Sequence, residues 1–369
     1  MGREKDGRGL SQLTLRSLLL FTLLFQIAGA QTPARLAGQI ATAHQAGEFD
    51  GVVVLSQNGK VVSTSALGFS DRYSQTPLHP ETIFRLASLT KQVTALLVMQ
   101  EVSAGRLTLD RKTGEILTSL PNSAARVTVR QLLQHVSGLP NPSDGPEDKI
   151  PPFYTRTQNL DKTSLEFCTG TAKREPGEKF EYNNCDYIIL GALLEATARQ
   201  PFAAILQERV IKPLGLKSWG MFPADPKQAP RVAFAYKKDG TPDDPQNPAT
   251  YGASGGLYGN ALDVANWNDA LLTHKLLSPA LTEQMFRADP KLYGEALGSW
   301  AYDSPCTTPP VHVIERQGEI GSTRLLSLLL PQRDASVVII ANADGLDFFN
   351  THSKQGLAYK ILSAWLAGE

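Results

Sequence analysis

The sequence predicts an α/β protein: an antiparallel sheet built from both ends of the chain, flanked by helices, with a mainly helical unit inserted between. Three observations lead there. Near the amino end, "GVVVLSQNGKVVSTSALGFS" places two β-branched runs around Asn58-Gly59, a strong hairpin signal. Near the carboxy end, "STRLLSLLLP" and "ASVVIIANAD" read as two more strands, followed by a helix in "THSKQGLAYKILSAWLAG". Between them, "TVRQLLQHV", "YIILGALLEATARQPFAAILQERVI" and "LDVANWNDALLTH" carry helical periodicity. The sheet unit is expected at about 35–85 plus 290–367 and the helical unit at about 86–289, all within a body spanning 31–367.

The elements follow in chain order. "ARLAGQIATAHQAG" has apolar residues at helical spacing and leads into the hairpin. "RLASLTKQVTALLVMQ" reads as an apolar helix beginning near Ser88. "PNPSDGPEDKIPPFYTRTQNLD" is rich in Pro, Asp and Gly and reads as a long loop, either a lid or a tolerated insertion. Asp263 opens the "LDVANW" helix as a first-turn or capping residue, and Trp267 in it is expected in the core.

The 369 residues hold 36 Lys+Arg against 36 Asp+Glu, and 42% are hydrophobic. Such a chain can bury a large core and offers no electrostatic footprint for nucleic acid, so its expected partners are small molecules or peptides. Arg3, Lys5, Arg8 and Arg16 precede an apolar run from Leu18 to Ile27 and the small residues Ala28-Gly29-Ala30. That pattern reads as a secretory signal over 1–30, with an uncleaved anchor as the other possibility. The run falls short of the roughly 20 residues a spanning helix needs, so no stable membrane insertion is expected once the signal is removed. Export to a periplasmic or extracellular space would leave Cys168, Cys185 and Cys306 in oxidising surroundings. Cys168 and Cys185 could close a short loop, or all three thiols stay unpaired. No metal-ligand spacing appears, and neither a metal nor another cofactor is expected.

Ser88 and Lys91 form Ser-x-x-Lys, a pattern that chance alone supplies roughly once in a chain of this length. At a helix start, Ser88 would sit one turn below Lys91 on the same face. Its own backbone N–H, free of a helix partner, could serve as an oxyanion donor. Lys91 could take the serine proton only if burial or a neighbouring cation lowers its pKa, and the apolar helix around it favours burial. The alternative is a capping serine with an outward-snorkelling lysine. Tyr182-x-Asn184 adds a phenol able to move protons and an amide able to hold a substrate carbonyl. Arg316-Gln317-Gly318 then stands on a strand whose glycine allows close approach, with the Glu319 N–H as a second oxyanion donor.

In this order the three motifs resemble the serine β-lactamase and penicillin-binding-protein superfamily, closest to class C β-lactamases, D-Ala-D-Ala carboxypeptidases and related esterases. The flanks "FRLASLTKQVTA", "GRLTLD", "LLQHVSGLP", "PGEKFEYNN", "GGLYGNALDVANW" and "VVIIAN" resemble it too, from about residue 35 to 367. The resemblance implies an exported serine hydrolase acting on a small-molecule or peptide substrate, with a cell-wall-derived one among the candidates. Ser88 attacks a carbonyl, Lys91 and Tyr182 move protons, and Asn184, Arg316, Gln317 and Gly318 hold the substrate. Whether the acyl donor is a β-lactam, a D-amino-acid peptide or an ester is left open.

Arg316 stands where the family usually has Lys or His. Arginine keeps the charge but cannot shuttle a proton; it can stabilise a Tyr182 phenolate or bind a carboxylate, and selection of carboxylated substrates is the expectation. Glu319 adds a negative charge there or points to solvent. Gly252-Ala253-Ser254-Gly255-Gly256 fits the Gly-x-Ser-x-Gly elbow, but "DDPQNPATY" lacks the strand that must lead into it. A rival reading keeps the fold as a non-catalytic sensor or binding module. Among the six scattered histidines, His135 is expected to fix a turn by hydrogen bonding.

Overall fold

The structure, a computed structural model, describes residues 35–144, 149–344, 349–354 and 356–367. The signal expected at 1–30 lies outside them, as do residues 145–148 of the long loop.

After helix α1 (35–45), strands β1 (Gly51–Gln57) and β2 (Lys60–Leu67) form the expected hairpin. Asn58 and Gly59 have φ of 52° and 70°, the left-handed values that a two-residue turn joining twisted strands requires. The other chain end supplies β3 (Trp300–Ser304), β4 (Val311–Ile320), β5 (Thr323–Leu330) and β6 (Ala335–Ala341). All six join one antiparallel sheet in the order β2-β1-β6-β5-β4-β3. Gly51 lies opposite Ala341 and Gln57 opposite Ala335, so the first strand and the last are neighbours.

Helices cover both faces of this sheet. β6 is buried along its whole length, as its unbroken apolar run demands. On one face Val53, Leu55, Leu326 and Ile339 pack against Leu36 and Ile40 of α1 and against Ile361 and Trp365 near the carboxy end. On the other, Val52, Val54, Leu325 and Ile340 meet the inserted helices. These include α2 (Leu89–Ser103), α3 (Leu160–Cys168), α4 (Asn184–Ala198), α5 (Ala261–Leu272) and α6 (Pro279–Phe286). The carboxy-terminal helix is α7 (Leu357–Leu366). α2 is buried on every side from Leu89 to Met99, which is why it lacks a polar stripe.

Several local expectations hold or change. Trp267 is fully buried and donates its Nε1–H to Gln92 Oε1 at 2.7 Å. Asp263 stands in the first turn of α5, but the cap is Asn260; the Asp263 carboxylate accepts the backbone N–H groups of Lys217 and Ser218 and ties that turn down. The helical stretch after Tyr187 breaks at Arg199, whose φ is 56°, before helix resumes at Phe202. Cys168 and Cys185 pair, joining the end of α3 to the head of α4, and Cys306 is free and buried. Among the described residues no single helix is long and apolar enough to cross a membrane.

Candidate active site

Ser88 sits at the head of α2 in a turn held from three sides. Leu86 donates its N–H to Leu257 O, and Ala87 takes a φ of 48°, a left-handed conformation costing of order 1–3 kcal/mol. Thr90 secures it: its Oγ1–H donates to Ala87 O at 2.6 Å and its Oγ1 accepts the Leu257 N–H at 3.2 Å. Ser88 caps the helix in position only, since its side chain makes no capping bond. Its hydroxyl is turned to the site instead.

Lys91 Nζ lies 3.2 Å from Ser88 Oγ and donates to Asn184 Oδ1 at 2.6 Å and Ser254 O at 2.9 Å. It is fully buried, so the outward-snorkelling alternative is not what forms. An ammonium has three N–H donors for these three oxygens; a neutral amine keeps two and turns its lone pair to Ser88. Both protonation states therefore fit without rearrangement.

The segment before α4 is fastened by Asn183. Its Oδ1 accepts the Cys185 N–H, its Nδ2 donates to Leu139 O and Pro140 O, and its backbone N–H donates to His135 Nδ1 at 3.1 Å. His135 thus fixes this turn, as expected, from a left-handed backbone with φ of 56°. The Tyr182 hydroxyl, so placed, donates to Ser88 Oγ at 2.7 Å. Asn184 Nδ2 donates to the Tyr154 hydroxyl at 2.7 Å, so both ends of its amide are engaged within the protein.

β3 pairs with β4 only as far as Glu315, leaving Arg316–Ile320 as a free edge along the cleft. The turn Gly321-Ser322 closes on the pair Ile320–Thr323. The next pair, Glu319–Arg324, is then of the non-hydrogen-bonded kind, which turns the Glu319 N–H towards the cleft. Gly318 allows the approach: a Cβ there would lie 2.8 Å from Leu86 O and 3.2 Å from Ser88 N. Ser88 and Glu319 can therefore present a pair of backbone donors to one oxygen.

Arg316 is engaged within the protein. It is 1% exposed, donates Nη2–H to the Tyr182 hydroxyl at 2.5 Å and Nε–H to Gln317 O at 3.1 Å, and lies 4.8 Å from the Trp300 ring centroid. Of its two possible roles the geometry builds the one towards Tyr182, while Arg316 also borders the cleft. Gln317 borders the cleft, but its amide donates to Glu315 Oε1 at 2.5 Å. Glu319 is half-exposed, 3.6 Å from Arg324 Nε. Ser254, the elbow candidate, is fully buried and donates its hydroxyl to Tyr251 O at 2.6 Å; its contribution to the site is a carbonyl.

Burial dominates the electrostatics. It pushes the Lys91 amine well below its ordinary value, and the Arg316 charge pushes further, with Asp186 and Glu295 opposing. Burial raises the Tyr182 phenol, partly offset by Arg316 and by the bond to Ser88. His135 is pushed well down by burial, then by the charges of Lys91 and Arg316, and so is neutral at pH 7. The resting arrangement is a tyrosine held protonated, a serine and a lysine whose charged form burial and Arg316 disfavour, in hydrogen-bonding sequence, with a permanent cation behind the tyrosine.

The cleft in front has a volume of about 970 Å³, with Tyr154, Tyr251, Phe180 and Trp300 among its walls. Tyr154 stacks on Tyr251 at 4.2 Å between centroids. Three features of the site escaped the sequence reading: Tyr154, the Ser254 carbonyl and the buried Glu295. Tyr154 lies within the stretch read as a long loop, where a 3₁₀ turn over Pro152–Thr155 buries it. No local pattern marks the other two.

Comparison with known proteins identifies the fold and the family. The chain is 24% identical to PbpX of Bacillus subtilis (strain 168) over 306 residues, 80% of this chain and 74% of that one. It is 29% identical to the esterase EstB of Burkholderia gladioli over 239 residues, 59% of this chain and 58% of EstB, so it spans less than two thirds of that relative. Its fold matches the octameric penicillin-binding protein homologue from Pyrococcus abyssi with a TM-score of 0.73 at 24% identity, covering 90% of this chain and 77% of that one. The Beta-lactamase family model matches residues 37–357, and the chain belongs to that family of serine-hydrolase type.

Proposed function

We propose that the protein hydrolyses esters or amides through an acyl-enzyme on Ser88. Ser88 Oγ gives its proton to the neutral Lys91 Nζ and bonds to the substrate carbonyl carbon. The resulting oxyanion rests between the N–H groups of Ser88 and Glu319. On collapse the bond to the leaving group breaks, Tyr182 supplies that group's proton, and the proton held on Lys91 then restores the Tyr182 phenol. Water then attacks the acyl carbon, its proton passing to the same Tyr182–Lys91 pair, and Ser88 is released. Arg316 holds Tyr182 in place and moves no proton.

One observation carries this reading: Arg316, Tyr182, Ser88 and Lys91 form an unbroken hydrogen-bonded chain, with a backbone donor pair beside the serine. The enclosure of Arg316 and the aromatic walls favour an uncharged acyl group, and likeness to EstB supports an ester. The basic, apolar and small-residue pattern of 1–30, together with the Cys168–Cys185 pairing, supports export to the periplasm or beyond.

A fluorophosphonate probe tests the nucleophile. The wild-type protein should gain one phosphonyl adduct, mapped to Ser88 by peptide mass spectrometry and absent in Ser88→Ala. An unlabelled wild type would favour a sensor or binding module, and a label surviving Ser88→Ala would point to another serine.

A further inference from the structure

Behind the hydrogen-bonded chain lies a carboxylate that the proposed chemistry does not use. Glu295 is fully buried, and neither of its oxygens has a hydrogen-bond partner among the described residues. Folds rarely bury such a group without one, so it calls for a physical explanation. The Nη1 of Arg316 is likewise buried without a partner.

Residues 294–299 form a tight strap pressed onto α2 at Lys91. The Glu295 N–H donates to Leu292 O, its carbonyl accepts the Asp289 N–H, and Leu297 N–H donates to Met285 O on α6. A Cβ on Gly298 would come within 2.9 Å of Lys91 O, 2.8 Å of Ala95 Cβ and 3.1 Å of the Tyr187 hydroxyl. Gln92, the residue after Lys91, donates Nε2–H to Ser299 Oγ at 2.9 Å. The backbone thus leaves Glu295 little freedom and fixes its carboxyl behind α2, in electrostatic reach of Lys91 and Arg316 but in an ion pair with neither among the described residues.

We infer that Glu295 is a positioning residue, a counter-charge opposing Arg316 that sets how readily Lys91 gives up its proton and so the pH at which Ser88 becomes reactive. This rests on the reading of Ser88 as nucleophile. The groups facing the pair are few: Arg316 from β4, Tyr182 before α4, Asp186 and Tyr187 on α4, and neutral His135. Arg316 is a fixed charge that drives the proton off Lys91, whereas an ionised Glu295 retains it. Burial pushes the Glu295 carboxyl up to about 8, with Arg316 and Lys91 pulling it down; groups that interact this way share macroscopic titration steps.

The two charges act in opposite senses, which a packing role does not reproduce. Acylation by a fluorophosphonate, followed against pH in the full chain, should rise on an acid limb as Lys91 becomes neutral. Glu295→Gln should move that limb to lower pH, Arg316→Gln should move it to higher pH, and Glu295→Asp should lie nearer wild type than Glu295→Gln. A Glu295→Gln limb unmoved but reduced in height, or both charge variants moving the same way, would overturn the inference. A direct titration keeps it independent of activity. In the Ser88→Ala background, the Cε resonance of Lys91 in protein labelled with ¹³C-lysine should titrate at lower pH when Glu295 is Gln, and an unchanged midpoint would equally overturn it. Failure of the Ser88 reading instead appears as labelling that survives Ser88→Ala.

Discussion

Tyr182→Phe removes one oxygen that the structure uses twice. That oxygen donates to Ser88 Oγ at 2.7 Å and accepts from Arg316 Nη2 at 2.5 Å. As proton donor to the leaving group, a positioned acid contributes about 10²- to 10⁴-fold. Acylation by an activated ester should therefore slow by that range, equivalent to about 3–5 kcal/mol of barrier. As acceptor for a buried guanidinium, its loss leaves a charged donor unpaired, costing about 1–3 kcal/mol of stability. The double variant Tyr182→Phe/Arg316→Met separates the two effects, because deleting both partners of a buried bond is far cheaper than deleting one. It should regain most of the lost stability in denaturant unfolding while remaining as slow as Tyr182→Phe in stopped-flow acylation. Should Tyr182→Phe acylate within tenfold of wild type, the proton path drawn through Tyr182 is wrong; should the double variant be less stable than the single, the Arg316–Tyr182 bond is not what secures this corner.

Gly318→Ala should displace the strand edge, since its Cβ would meet Leu86 O at 2.8 Å and Ser88 N at 3.2 Å. With the Glu319 N–H pulled from the oxyanion position, acylation should fall about 10²- to 10³-fold while affinity for a non-reacting substrate analogue changes little; unchanged acylation would remove the backbone pair from the mechanism. Lys91→Met should flatten the pH dependence of stability. The unfolded chain keeps Lys91 protonated to about pH 10.4, whereas the fold holds it neutral from well below that value. The unfolded state therefore binds the extra proton, and wild-type stability rises with pH across that window by up to about 1.4 kcal/mol per pH unit. Equal slopes in Lys91→Met and wild type, measured by denaturant unfolding at several pH values, would mean that Lys91 stays charged in the fold.

The legible parts of this protein are those whose cause is local. Asn58-Gly59 demands left-handed backbone at two consecutive residues, so it names its hairpin without reference to anything else. The seven apolar or small residues of β6 announce a strand buried on both faces. Ser88-x-x-Lys91 places two groups one helical turn apart, a distance set by the helix alone. β3 was not read: five residues at the edge of a sheet carry too little pattern. The break at Arg199 lay hidden inside a stretch whose periodicity continues beyond it.

Sequence by itself determined the sheet from both chain ends, the buried helix behind Ser88 and the order of the three motifs, because hydrophobic period, turn residues and helical spacing act over a few residues at a time. Only the tertiary structure decided what those motifs meet. Arg316 gains its bond to Tyr182 only because the burial of its strand sets the two side by side. Cys168 and Cys185 could remain thiols until α3 packed on α4. Glu295 is an ordinary glutamate in the chain, and it becomes a buried counter-charge because a strap two hundred residues from Lys91 folds onto the same helix. Desolvation and long-range charge depend on what surrounds a group in space, and no run of neighbouring residues contains that.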